Sequence, residues 1–122
     1  MTDIAINWFE IPVQDEARAT EFYGTVLETE IGEMPGPDGP IKVFQAQGNP
    51  VGALDASGQT SPAQGGVRVY FSSNDIDNTL SKAESAGGKI VMPKTSIGPH
   101  GFIGQFADPE GNIVALHTPP TS

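Results

Sequence analysis

The sequence predicts an α+β fold of two tandem βαβββ half-domains that face each other across a central cleft. Three observations lead there. Residues 8–31 and 68–91 follow one pattern, sixty positions apart: Trp8-Phe9-Glu10-Ile11-Pro12-Val13, then Gln14-Asp15 and a helix-like stretch, against Arg68-Val69-Tyr70-Phe71, then Asn74-Asp75 and a second such stretch. The ends of the halves repeat as well, Gly48-Asn49-Pro50-Val51-Gly52-Ala53-Leu54-Asp55 matching Gly111-Asn112-Ile113-Val114-Ala115-Leu116-His117, with one extra glycine in the first copy, Gly52, after which the offset is sixty-two. Finally, 15 glycines and 11 prolines in 122 residues demand many turns and short elements. The length suits a single domain, divided into a first unit over residues 1–55, a linker over 56–66 and a second unit over 67–122.

Each element has a local reason. Residues 4–13 are β-branched and aromatic and run into Pro12, the signature of a strand. Asp15 is placed to cap a helix, with Glu16 adding negative charge where the helix dipole favours it. Ala19, Phe22, Tyr23, Val26 and Leu27 then recur at three- and four-residue steps and give that helix a buried face. Pro35-Gly36-Pro37-Asp38-Gly39-Pro40 is a turn, residues 41–47 alternate as a half-buried strand, and residues 51–54 close the first unit. The Ser-, Gly-, Gln-, Pro- and Ala-rich stretch 56–66 buries no apolar surface and reads as a linker. In the second unit Asp75 or Asp77 caps a helix through Leu80 and Ala83 that stops at Gly87-Gly88. Residues 102–106 and 113–116 form a hairpin about Asp108-Pro109-Glu110-Gly111-Asn112, in which Asp108 and Glu110 read as turn formers.

Composition excludes several function classes. A net charge of -9 repels phosphate backbones and anionic lipid, which argues against nucleic-acid and membrane partners. The absence of cysteine removes disulfides, thiolate metal sites and cysteine nucleophiles. No basic leader opens the chain and no apolar run reaches the roughly 18 residues of a membrane span, so a cytoplasmic location is expected. No phosphate loop, dinucleotide fingerprint or H-E-x-x-H motif is present.

The duplicated βαβββ pattern, the run Phe9-Glu10-Ile11-Pro12-Val13-Gln14-Asp15 with Glu21-Phe22-Tyr23 and Val26-Leu27, and the closing Phe106-Ala107-Asp108-Pro109-Glu110-Gly111-Asn112 together resemble the vicinal oxygen chelate superfamily of glyoxalase I, bleomycin-resistance proteins and extradiol dioxygenases. The resemblance implies that the halves curl into a paired, partly open barrel, that the protein is a homodimer, and that a divalent metal is held by one residue from the first and one from the last strand of each half. The corresponding positions here are Trp8, Ala53, Arg68 and Ala115. None offers a usable lone pair, since alanine has no donor atom and guanidinium stays protonated. No metal is therefore expected at the family position.

Alternation along the strands then sets Glu10, Asp55, Tyr70 and His117 on the same cleft as those four positions. Trp8, Tyr70, Phe44 and Phe102 are expected as flat ligand walls, with Arg68 as an anion partner or as the internal ion-pair partner of Glu10 or Asp55. The resulting expectation is a cofactor-free protein that binds a small anionic or aromatic molecule. A lyase or isomerase of the glyoxalase type is the alternative, using Glu10, His117 or His100 as acid–base groups, or a zinc, nickel or iron ion displaced onto Glu10, Asp55 and His117. A non-catalytic interaction domain is the third.

Overall fold

The structure, a computed structural model, describes residues 6, 8–58, 61–63 and 67–120. The first half runs β1 (Phe9–Pro12), α1 (Glu16–Val26), β2 (Gly32–Met34), β3 (Ile41–Ala46) and β4 (Asn49–Asp55). The second runs β5 (Tyr70–Ser72), α2 (Ile76–Ser85), β6 (Lys89–Ser96), a 3-10 turn at Gly98–His100, β7 (Phe102–Ala107) and β8 (Ile113–Thr118). Two four-stranded sheets result, ordered β1-β4-β3-β2 and β5-β8-β7-β6. In each, the first strand pairs parallel with the last and the rest is antiparallel. The duplication is thus a duplication of topology, and each sheet stays open rather than closing into a barrel.

Both helices start as their sequences dictate. Asp15 accepts from the Arg18 N–H at 3.0 Å and Asp75 from the Asn78 N–H at 3.1 Å, so Asp75 and not Asp77 is the second cap. Gly87, at φ 106°, ends the second helix in the left-handed region that glycine adopts without cost. The strands differ in length from the sequence reading. β1 covers only Phe9–Pro12, and of the earlier residues expected in it, 4, 5 and 7 lie outside the described residues. β5 begins at Tyr70, which leaves Arg68 before the strand. β6 reaches Ser96 despite Pro93, because it is an edge strand whose register shifts around that proline.

One core serves both halves. Ile11, Phe44 and Leu54 of the first sheet and Phe106, Val114 and Leu116 of the second close on Phe22, Tyr23 and Val26 of α1 and Ile76, Leu80 and Ala83 of α2. Gly104 allows α2 to sit this close, since a Cβ there would lie 2.8 Å from Ile76 Cγ2. Tyr23 is fully buried at the centre, with its ring 5.4 Å from Phe44 and 6.5 Å from Phe106.

The loop at residues 108–112 clasps the halves together. Asp108 accepts from Tyr23 Oη at 2.7 Å, Asn112 Nδ2 donates to the Pro12 carbonyl at 2.8 Å, and Asn112 Oδ1 accepts from the Ala63 N–H at 3.1 Å. Glu110 accepts from the Asp15 N–H at 2.9 Å and from Arg18 Nη2 at 2.8 Å. The Glu110 side chain is only 2% exposed. Burial alone would raise its pKa, but the N–H groups of Asp15 and Gln14 and the Arg18 guanidinium outweigh that and hold it below the ordinary value of 4.5. Burial, reinforced by the charge and hydrogen bond of Asp108, pushes the Tyr23 hydroxyl well above 10. Asp108 and Glu110 therefore form a turn, as their sequence suggests, and also fasten one half to the other.

Candidate functional site

The cleft between the halves is floored by three phenylalanines. The Phe9 ring of β1 lies 5.4 Å from Phe44 of β3 and 5.8 Å from Phe71 of β5, and Phe44 lies 5.5 Å from Phe71. Tyr23 supports the floor edge-on to Phe44. The Phe9 ring reaches this place because its neighbour in β4 is Gly52, where a Cβ would stand 2.5 Å from the ring. Above the floor a cavity of about 460 Å³ opens between the end of α1, at Leu27 and Thr29, and the start of α2, at Asn78 and Thr79. Stacked and edge-on ring contacts are what such a surface offers a flat guest. Among the lining residues there is no lysine, arginine or histidine.

Of the residues expected as ligand walls, Phe44 borders this cavity, on the face of the sheet opposite Glu10 and Ala53. Trp8 and Tyr70 do not form its walls. They are 36% and 52% exposed, and their places at the cavity are taken by the next residues, Phe9 and Phe71. The reason is parity. Phe9, Ile11 and Val13 form the apolar face of the first strand, and shifting by one residue turns a side chain to the other face of the sheet. That alternation was readable in the sequence, as was the extra glycine of the first half, Gly52, and both point to Phe9. Phe102 packs against the core, with the Lys94 ammonium 4.7 Å above its ring. Arg68 is exposed, with no ion pair among the described residues, because the chain has not yet entered β5. It is neither an inward-facing strand residue nor a partner of Glu10 or Asp55.

The expected acid–base residues fall on different sheets. Glu10 pairs in register with Ala53, accepts from Trp8 Nε1 at 3.2 Å, and lines with Asp55 a second cavity of about 580 Å³ on the first half. His117 lies on β8 beside Ser72, and its Nε2 donates to the His100 carbonyl at 2.9 Å. Glu10 and Asp55 thus border one cavity, and His117 bonds to the His100 carbonyl. Among the described residues no three of His, Cys, Asp and Glu are grouped to hold a metal ion, so Glu10, Asp55 and His117 do not form the shared set that a displaced ion would need.

The family metal position fits no better. Ala53 and Ala115 are buried and carry no donor atom, Arg68 is a cation, and the Trp8 indole can only donate, which it does to Glu10. These side chains do not fit a divalent ion.

Comparison with known proteins agrees with the architecture. The sequence profile of the Glyoxalase/Bleomycin resistance protein/Dioxygenase superfamily matches residues 5–116. The glyoxylase-named protein CFP32 of Mycobacterium tuberculosis is 26% identical over 90% of this chain and 44% of its own length. The anthracycline biosynthesis protein DauV of a Streptomyces species is 27% identical over 89% of this chain and 45% of its own. The chain thus spans less than half the length of these two relatives. Among solved structures, TnmS3, an antibiotic-binding protein from a Streptomyces species, superposes with a TM-score of 0.70 at 25% identity, covering 98% of both chains. A glyoxalase/bleomycin resistance protein from Albidiferax ferrireducens gives 0.71 at 18% identity, covering 93% of this chain and 98% of its own.

Proposed function

Because the chain belongs to the glyoxalase/bleomycin resistance protein/dioxygenase superfamily, we propose that it is a small-molecule-binding member that works without a metal at the family position and holds an aromatic ligand between its halves. The phenylalanine-floored cavity of about 460 Å³, with a rim of hydroxyl and amide side chains, carries this reading, since its volume falls within the roughly 300–1,000 Å³ of small-molecule sites. The antibiotic-binding neighbour is in keeping with small-molecule binding by this fold. A homodimer and a cytoplasmic location belong to the same proposal. In the structure, no helix among the described residues is long and apolar enough to cross a membrane. Of the acid–base groups a lyase or isomerase could use, Glu10 lies on the first sheet, while His117 and His100 meet on the second half.

The test uses N-phenyl-1-naphthylamine, an uncharged probe that brightens in apolar sites. Saturable emission at one probe per chain is expected, with the probe recovered chemically unchanged. Asn78→Trp, at an exposed cavity-lining position on α2, should abolish the signal while leaving the melting temperature near that of the parent. No enhancement, or undiminished enhancement in N78W, contradicts the reading. Light scattering at twice the chain mass would support the dimer, and a monomer at high concentration would remove it.

A further inference from the structure

Resting on that cavity reading, we propose that the ligand is an uncharged, flat aromatic molecule with carbonyl, amide or hydroxyl groups along one edge, and that the site discriminates against anions. The sequence suggested the opposite charge preference through Arg68, but that guanidinium lies outside the cavity. The charged residues lining the cavity are Glu28 and Asp75, both acidic. Lys82 pairs with Glu28 at 2.8 Å but is not a lining residue. The start of α2 would by its dipole welcome an anion, but Asp75 already answers it by accepting from the Asn78 N–H, and Asp77 adds a second charge in the first turn. A carboxylate entering here would lose its hydration beside Asp75 with no cation to compensate. The overall charge of -9 opposes it further.

The polar edge is equally specific. Ser73 Oγ is engaged with Thr79 Oγ1 at 3.0 Å and with the Asp75 N–H at 3.2 Å, which fixes that corner. The side chains of Asn74 and Asn78 line the same rim and make no hydrogen bond with other described residues. Each amide offers donors and an acceptor, a match for neutral polar substituents. A ring system on the phenylalanines would present such groups to these two amides.

Isosteric probes separate charge from shape. Fluorescence titration with 1-naphthamide and 1-naphthoate should show the amide binding at least tenfold more tightly, and Asp75→Asn, which keeps a competent helix cap, should narrow that gap. Asn78→Ala should weaken naphthamide several-fold and leave unsubstituted naphthalene unaffected. Naphthoate binding as tightly as naphthamide, or 1-naphthylmethylammonium binding more tightly, would overturn the assignment of an uncharged ligand while leaving the cavity in place. Failure of every naphthalene to bind would overturn the cavity reading and this inference with it.

Discussion

Phe9 occupies the space that a side chain at position 52 would need, and this one steric relation places an aromatic ring at the cleft. Gly52→Ala should therefore push the Phe9 ring aside, destabilise the fold by about 1–3 kcal/mol and weaken probe binding more than any surface substitution of equal cost. Thermal melts and probe titrations check both parts, and unchanged binding in a destabilised variant would dissociate Phe9 from the site. Tyr23→Phe keeps the ring and removes the hydroxyl that Asp108 accepts from. A loss of about 1–3 kcal/mol is expected, since the buried Asp108 oxygen then keeps only its bond from Asn112. Denaturant midpoints equal to the parent would show that this hydrogen bond contributes nothing. Sequence alone identified Phe22 and Tyr23 as core from their helical spacing. The resemblance set Trp8 at the family cleft, and alternation from Arg68 set Tyr70 beside it, whereas the ring-lined cavity is bordered by their neighbours Phe9 and Phe71.

At the scale of elements, the 108–112 loop shows most clearly what local sequence reveals and what it leaves out. Its proline and glycine announce a turn, and a turn is what forms, with Gly111 at φ 94°. Nothing in the pentapeptide announces that Glu110 will reach α1, ninety-two residues away at Arg18, because that contact depends on how the two halves pack. The helices were legible because capping and periodicity are local. The bounds of β5 and β6 were not, because pairing with β8 and β7 decides them. The clasp should also give the fold a characteristic pH dependence. Glu110 titrates below its ordinary value when folded, so its contribution is present above about pH 4.5 and fades as pH falls through the depressed value. Tyr23 titrates above its ordinary value, so its contribution is intact below about pH 10 and is lost as pH rises beyond it. Glu110→Gln should flatten the acid limb of the stability profile and Tyr23→Phe the alkaline limb. Profiles that keep the parent's shape in both variants would exclude the clasp as the source.

For the whole molecule, duplication predicted two like sheets, and both are present. The parity of Phe9, Ile11 and Val13 and the added Gly52 mark the ring-bearing face of the first sheet in the sequence, but which face borders a cavity depends on how the halves pack. The resemblance directed attention to the face of Ala53 and Ala115, whereas packing places the ring-lined cavity on the face of Phe9, Phe44 and Phe71, beside the shared core. The two faces make separable claims. Titrating isotopically labelled protein with 1-naphthamide and following backbone amide shifts decides between them. Perturbations concentrated at Phe9, Phe44, Phe71 and Asn78 are expected. Shifts confined instead to Trp8, Ala53, Tyr70 and Ala115 would place the ligand on the opposite face and contradict the proposed site.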